Sequence, residues 1–258
     1  MEGNEYLFNI LSKYQPRWID KVKQIELINV LKSRANSCLI DICLSWSIAK
    51  WTAISLSSDL DYFISLSHDC NENNGWLYSI YNSLLQTLKS TFWYVRKQNV
   101  SCRINYYWLE IDITPARKLP WNTNDHIIYI SKFDTRQKTN IQRHINDIYY
   151  SWRKNEIKLL KIRRELNNLD FPSIYLEYLV IEELLLNKPK REDFLSNNFN
   201  HILGELSKEN WNPLFKLLID PANSNNILSN LLNNTEKNRI ISAAKNSYYN
   251  GYWENVVW

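Results

Sequence analysis

A pair of aspartates stands at the start of an apolar stretch and limits the folds that the chain can adopt. Asp59 and Asp61 begin the run 59–66, DLDYFISL, in which Phe63 and Ile64 supply the apolar content of a buried strand. Residues two apart on a strand point to the same face, so the two carboxylates project together. They repel each other, and burial raises that cost unless a cation lies between them. The run predicts either a metal-binding strand end or a solvated one whose carboxylates face water.

Residues upstream of the pair favour the metal site. Ser47, Lys50 and Thr52 precede the aspartates in the stretch 44–61. In residues and order this stretch resembles the signature of the DNA polymerase beta-like nucleotidyltransferase superfamily, closest to the OAS/cGAS-like (CD-NTase) and CCA-adding enzymes. That signature reads Gly-Ser, a short spacer, often Lys or Arg followed by Gly-Thr, and then Asp-x-Asp.

A third carboxylate lies about fifty residues further along. In the stretch 109–116, LEIDITPA, apolar residues alternate with polar ones, and Asp112 falls on the polar face. By itself Asp112 reads as an exposed strand residue. The superfamily has a third carboxylate on a neighbouring strand, often followed closely by Pro, and Asp112 resembles that position. The resemblance implies that Asp59, Asp61 and Asp112 are catalytic and hold two Mg²⁺ ions, with Mn²⁺ as the alternative.

The resemblance also implies a set of nucleotide-binding residues: Ser47, Lys50, Thr52, Lys161 and Ser173. Lys161 lies in IKLLKIRREL, where related enzymes carry a Lys that reaches the triphosphate. The alternative for Lys161 is a solvated basic helix face. Ser173 follows Pro172 at the start of an apolar helix, so its alternative role is an N-cap. For Lys50 the alternative to phosphate binding is a surface position.

The predicted fold class is α+β. We expect a nucleotidyltransferase catalytic domain at 1–135, with an N-terminal helix and a small mixed or antiparallel sheet that carries the Asp triad. A helical PAP/OAS1-type substrate-binding domain is expected at 136–258. Pro, Asn and Thr in 117–140 predict a loop or crossover near this boundary, and 226–232 is predicted as a helix.

Composition sets outer bounds on the function. Of 258 residues, 45% are hydrophobic and 22% charged, which is typical of a soluble globular chain. No apolar run approaches the roughly 18 residues of a membrane span, and no secretory signal opens the chain, so we expect no membrane partner. The four cysteines form no Cys-x-x-Cys pair, which favours reduced thiols and a cytoplasmic location. The net charge of +4 permits an anionic ligand and weighs against a large RNA footprint.

The sequence departs from the family signature at its glycines. The chain has 4 Gly and 11 Trp, and Trp46 and Trp51 stand where the motif has Gly. Trp108, Trp121 and Trp152 also stand where related sequences tend to have Gly. Glycine permits positive φ and a close backbone approach to phosphate, and indole permits neither. One hypothesis is that UGA codons are read as Gly in the native protein, and the other is a decayed pseudoenzyme.

Three functions remain open at this point. The first is a metal-dependent nucleotidyltransferase that moves a nucleoside monophosphate from an NTP to a hydroxyl and releases pyrophosphate, as an oligonucleotide second-messenger synthetase does. The second is a CCA-adding or RNA-tailing enzyme with an RNA acceptor. The third, which follows if Trp46 and Trp51 are real, is a noncatalytic nucleotide-binding module.

Overall fold

The computed structural model describes residues 3–16, 20–35, 38–57, 60–69, 77–121 and 123–256. Asp59 lies outside these residues. The chain divides into two compact units that interleave along the sequence. The helical unit comprises 1–16, 51–57 and 146–258, and the sheet unit comprises 17–50 and 58–145. The expected division into domains at 135/136 stays a prediction.

The α-helices of the described residues are, in chain order, α1 (Gly3–Lys13), α2 (Lys21–Ala35), α3 (Trp46–Ala49), α4 (Leu77–Thr91), α5 (Ile141–Ser151), α6 (Lys154–Leu166), α7 (Ser173–Leu179), α8 (Leu195–Leu206) and α9 (Asn234–Tyr248). The strands are β1 (Leu39–Leu44), β2 (Leu60–Leu66), β3 (Val95–Lys97), β4 (Cys102–Tyr106), β5 (Leu109–Lys118), β6 (His126–Ile130), β7 (Thr135–Thr139), β8 (Ile219–Asp220) and β9 (Asn223–Ile227). A π-helical turn at Val180–Leu184 follows α7.

The sheet unit is built on a mixed seven-stranded sheet. Its main path runs β1-β2-β5-β4-β3, and β6 pairs with both β5 and β7. β2 and β5 are parallel, while the other neighbours are antiparallel. The predicted α+β class with a mixed sheet is therefore confirmed. The long strand β5 lies at the centre of this arrangement, because three strands pair with it.

Apolar side chains of the sheet unit are buried against α4 and within the sheet. α4 contacts β3, β4, β5 and β6. It buries Ile80, Tyr81, Leu85 and Leu88 on one face, as its helical spacing predicts. Each fully buried side chain of this size contributes roughly 1.5–3 kcal/mol. The Tyr81 hydroxyl lies 2.7 Å from the Gln98 carbonyl and 2.8 Å from that of Ser101, so its burial leaves no polar atom unsatisfied.

The helical unit has one large apolar cluster. Side chains from α1, α6, α7, α8 and α9 meet in it, for example Leu7, Ile157, Leu176, Ile202 and Ile240. Each of these five is at most 3% exposed. α9 opens with a capping box, in which Asn233 and Glu236 each accept a hydrogen bond from the other's backbone N–H.

Two predicted elements were wrong. The segment 117–140 forms the hairpin β6–β7 where a loop was expected. The segment 226–232 was predicted as a helix, but β9 pairs with β8 and only a 3₁₀ turn, Leu228–Leu231, follows. Asp220 holds this hairpin together, because its carboxylate accepts from the Ala222 N–H at 2.9 Å and from the Asn226 side-chain amide at 3.0 Å.

The oxidation state of the cysteines also differs from the expectation that all are reduced thiols. Cys43 and Cys102 are free thiols, whereas Cys38 is disulfide-bonded. In the part of the chain that the structure describes, no helix combines the length and the apolar character that a membrane crossing requires.

Candidate active site

The turn between β1 and β2 brings the Ser47 region beside the aspartate strand. Ser45, which directly follows β1, is fully buried, and its backbone N–H donates to the Asp61 carbonyl at 2.9 Å. Its hydroxyl lies 3.3 Å from the same oxygen. The next two residues, Trp46 and Ser47, begin the one-turn helix α3. Sequence reasoning singled out Ser47 and missed Ser45, whose contacts fix the turn to β2.

Asp61 and Asp112 are direct neighbours in the sheet. The parallel register of β2 and β5 pairs Asp61 with Asp112, Leu60 with Ile111, and Tyr62 with Ile113. Residues directly paired across strands project to the same face, so both carboxylates lie on one face. Both residues are half-buried, while the flanking apolar residues are buried. The two predicted carboxylates that the structure describes are therefore brought together.

Arg103 extends this row by one strand. It pairs with Asp112 in the antiparallel register of β4 and β5. Its Nε lies 2.8 Å from Asp112 Oδ1, and its second guanidinium nitrogen lies 2.8 Å from Oδ2, which makes a bidentate ion pair. The remaining guanidinium nitrogen donates to the Glu110 carboxylate. Such a fork fixes both the charge and the orientation of a carboxylate, so Arg103 sets the direction in which Asp112 points.

The donor set of this row fits a hard divalent cation. Carboxylate oxygens together with substrate phosphates are the ligands that Mg²⁺ prefers. Asp61 and Asp112 supply two such carboxylates, and the third predicted ligand, Asp59, lies outside the described residues. Within the ranges that the structure describes, no group of three or more His, Cys, Asp or Glu is arranged around a common point.

Lys50 ends the turn of α3. Its backbone N–H donates to the Trp46 carbonyl at 3.1 Å, and the side chain is 2% exposed. Its ammonium lies 5.6 Å from the centre of the Trp46 ring. The surface position considered for Lys50 is therefore wrong, because the residue is buried.

In the helical unit, Lys161 and Thr52 belong to one buried polar cluster. The Lys161 ammonium lies 2.6 Å from Glu177 Oε1 and donates to the Thr52 hydroxyl at 2.9 Å. The Thr52 hydroxyl in turn lies 3.1 Å from the same Glu177 oxygen. All three residues are at most 2% exposed, so the solvated-face alternative for Lys161 is wrong. Glu177 carried no sequence signal, because its partners lie 16 and 125 residues away.

Ser173 is held by an arginine. One Arg164 guanidinium nitrogen donates to the Ser173 hydroxyl at 2.8 Å and to the Phe171 carbonyl at 3.0 Å. The other terminal nitrogen donates to Ser57 at 3.3 Å. The N-cap residue of α7 is Pro172, and Ser173 is the first helical residue. The N-cap alternative for Ser173 is therefore wrong.

Comparisons with known proteins show the structural class of the fold. No protein-family model and no curated protein sequence matches the chain. Solved structures do match. The CD-NTase CdnG of Bradyrhizobium diazoefficiens, in complex with GTP, has a TM-score of 0.70 at 10% identity, covering 100% of this chain and 95% of CdnG. The CdnE cyclic dinucleotide synthase of Elizabethkingia meningoseptica, with GTP and Apcpp, has a TM-score of 0.65 at 13% identity, covering 96% and 99%.

A third match comes from a different kind of nucleotidyltransferase. The structure of a cytoplasmic RNA terminal U-transferase has a TM-score of 0.61 at 11% identity, covering 98% of this chain and 95% of that one. At these identities the likeness concerns the fold. The chain has the nucleotidyltransferase fold, as its sequence predicts, and resembles the CD-NTases along its whole length.

Proposed function

We propose that the protein is a metal-dependent nucleotidyltransferase that transfers a nucleoside monophosphate from an NTP to a hydroxyl and releases pyrophosphate. The observation that carries the proposal is the pairing of Asp61 with Asp112 on neighbouring parallel strands of this fold. Two carboxylates side by side on one face repel unless a cation or a guanidinium balances them. A site for phosphoryl transfer needs such an arrangement, because its catalysis depends on positioning and charge stabilisation.

In this proposal Asp61, Asp112 and Asp59 hold Mg²⁺, with Mn²⁺ as the alternative ion. When bound, the metal would neutralise developing charge on the attacking and leaving oxygens. The carboxylates of Asp61 and Asp112 supply hard oxygen donors on one face, and this supports the assignment.

The protein's own groups orient the acceptor and receive its proton. The acceptor hydroxyl oxygen forms a bond to the α-phosphorus as the bond from that phosphorus to the bridging oxygen breaks, and pyrophosphate departs with that oxygen. Asp112 receives the hydroxyl proton, and Arg103 keeps its carboxylate directed during the step. The bidentate ion pair of 2.8 Å on each oxygen supports this positioning role of Arg103.

Nucleotide binding is assigned by resemblance. Ser47, Lys50, Thr52, Lys161 and Ser173 stay proposed contacts to the nucleotide. The turn that bears Ser47 is fixed to the Asp61 strand through Ser45, and this supports its place beside the carboxylates.

For the acceptor we propose another nucleotide, so that the product is an oligonucleotide or cyclic second messenger. Similarity to a cyclic dinucleotide synthase over 96% of the chain supports this acceptor. The net charge of +4 also weighs against a large RNA footprint. An RNA-tailing activity is the second candidate, favoured by the similarity to a terminal U-transferase. We place the activity in the cytoplasm, where NTPs are available.

The test is incubation of the protein with the four NTPs and Mg²⁺, with and without RNA, followed by separation of the products. A di- or oligonucleotide formed without RNA supports the messenger synthetase. Products formed only on added RNA support the tailing enzyme. Saturable NTP binding without pyrophosphate release would contradict both and leave a noncatalytic nucleotide-binding module.

A further inference from the structure

Tryptophans occupy backbone positions that suit glycine. Five tryptophans have positive φ: 54° at Trp46, 61° at Trp51, 66° at Trp108, 62° at Trp152 and 58° at Trp211. These are five of the eight tryptophans in the described ranges. In proteins generally, only a few per cent of non-glycine residues adopt positive φ, and for a bulky residue it is an outlier. The left-handed conformation costs an L-residue roughly 1–2 kcal/mol.

Their side chains gain little that offsets this cost. Trp51, Trp108, Trp152 and Trp211 are 61%, 93%, 65% and 94% exposed. A buried aromatic side chain removes about 150–250 Å² from water, and these four forgo most of that gain. Trp46 is half-buried against the apolar cluster around Phe63. A tryptophan that stabilised the fold by packing would instead be buried.

The hairpin loop and the helix ends at these positions are also of the kinds that favour glycine. Tyr107 and Trp108 form a two-residue loop between β4 and β5 with positive φ at both positions. Hairpins of this kind strongly prefer Gly at the second loop residue. Trp51 follows the C-cap residue Lys50 of α3, and Trp152 directly follows α5. Helices very commonly end in a residue with left-handed conformation, and that residue is usually glycine.

We infer that the codons of Trp46, Trp51, Trp108, Trp152 and Trp211 are UGA read as glycine, so that the native protein has glycine at these five positions. Trp211 was not singled out by the sequence. Trp121, which was, does not have positive φ, so the backbone gives no support for glycine there. The glycine content agrees with this inference, because 4 Gly in the chain is far below the roughly 18 expected at average usage.

The alternative of a decayed pseudoenzyme does not explain the pattern. Replacements accumulated at random would not fall preferentially on left-handed positions. The other non-glycine residues with positive φ are Tyr107, Asp134 and Asn168. Asp and Asn tolerate this region several-fold better than other residues, and Tyr107 belongs to the same loop as Trp108. The assignment rests on backbone conformation, so it holds whether or not transfer activity is found.

Trp253 provides a matched control. Its indole N–H donates to the Ser196 hydroxyl at 3.1 Å, and its ring centre lies 6.0 Å from that of Phe199. It does not have positive φ, and its indole makes both a hydrogen bond and a ring contact, which glycine could not make. We expect its codon to be UGG.

The test is peptide mass spectrometry of the native protein, isolated from its source and covering all six positions. Glycine masses at 46, 51, 108, 152 and 211 with a tryptophan mass at 253 are expected. A tryptophan mass at any of the five overturns the assignment.

A second measurement uses the chain with tryptophan at each position. W108G and W211G are expected to raise the melting temperature by about 2–4 °C each, as relief of this strain does in a chain of this size. W253G is expected to lower it. A fall of the melting temperature in W108G and W211G would contradict the inference.

Discussion

Asp61 on β2 and Asp112 on β5 lie directly opposite each other across the parallel strand pair. The two residues are fifty-one positions apart in the sequence, and only the register of the sheet brings them together. Arg103 continues the row on β4 and takes both oxygens of Asp112. The chemistry proposed for the protein depends on this row of three charged side chains.

Replacing either carboxylate should remove activity without unfolding the chain. In D61N and D112N a proposed metal ligand loses its charge, and the rate of pyrophosphate release is expected to fall by about 10²–10⁴-fold. Circular dichroism should be unchanged, because the amide has the same shape. D41N is the matched control, since Asp41 lies exposed on the same sheet. Release in D61N equal to that of the D41N control would contradict the metal assignment.

The ion pair of Arg103 should tune the metal requirement. R103Q removes a cation that competes with Mg²⁺ for Asp112, so a lower Mg²⁺ concentration is expected to give half-maximal activity. The maximal rate should fall at the same time, because Asp112 loses its orienting partner. R103K keeps the charge but lacks the bidentate fork. Its Mg²⁺ requirement and its maximal rate should therefore lie between those of R103Q and of the parent chain. If both the Mg²⁺ dependence and the maximal rate are unchanged in R103Q, Arg103 acts on stability alone. E110Q, which alters only the outer carboxylate, is the control.

The buried ion pair of Lys161 and Glu177 should be costly to break. K161M removes the ammonium beside the buried Glu177 carboxylate, and about 3–5 kcal/mol of unfolding free energy is expected to be lost. The double variant K161M/E177L should recover most of it, because no buried charge then remains. Urea unfolding of the parent chain and of both variants measures the loss and its recovery.

The surface ion pair between the exposed Lys216 and the half-buried Glu183 is the control for this cluster. K216A should change the unfolding free energy by less than about 1 kcal/mol. A loss in K161M as small as that in K216A would contradict a structural role for the cluster. If K161M/E177L folds and binds NTP as tightly as the parent chain, the proposed contact of Lys161 with nucleotide is excluded.

The strands that carry the carboxylates were predictable because their pattern is local. The alternation in 109–116 and the apolar run after Asp61 are visible in short windows, and β2 and β5 follow them. The hairpin β6–β7 was missed because β7, TRQKT, contains no apolar residue and lies mostly exposed. Its strand conformation comes from pairing with β6, which a local pattern does not record.

The partners of the site residues were less predictable. Arg103 lies in VSCRINYY with no motif to mark it, and its pairing with Asp112 follows from the β4–β5 register. Glu177 meets Thr52 across 125 residues of sequence. The family resemblance indicates which residues bear the chemistry but not which neighbours hold them.

His126 should make the sheet unit sensitive to mild acid. Its Nδ1 donates to the Asn124 carbonyl at 2.9 Å, and Nε2 lies 2.7 Å from the Ser65 hydroxyl, which donates to it when the ring is neutral. Burial lowers the pKa of His126 below its ordinary 6.5. The unfolded chain therefore binds a proton first as the pH falls, and stability is lost from about pH 6.5 down to the folded pKa.

The melting temperature of the parent chain and of H126Q between pH 8 and about pH 5 checks this pH dependence. The parent should lose stability below neutrality, and H126Q should lose less over the same range. Parallel curves for the two proteins would exclude His126 as the cause.

Metal-dependent transfer is decided by pyrophosphate release from the four NTPs with Mg²⁺, measured for the native protein beside a D61N variant of the same chain. We expect Mg²⁺-dependent release that accompanies formation of a nucleotide-to-nucleotide bond and disappears in D61N. NTP binding without any release, or release that D61N retains in full, would contradict it.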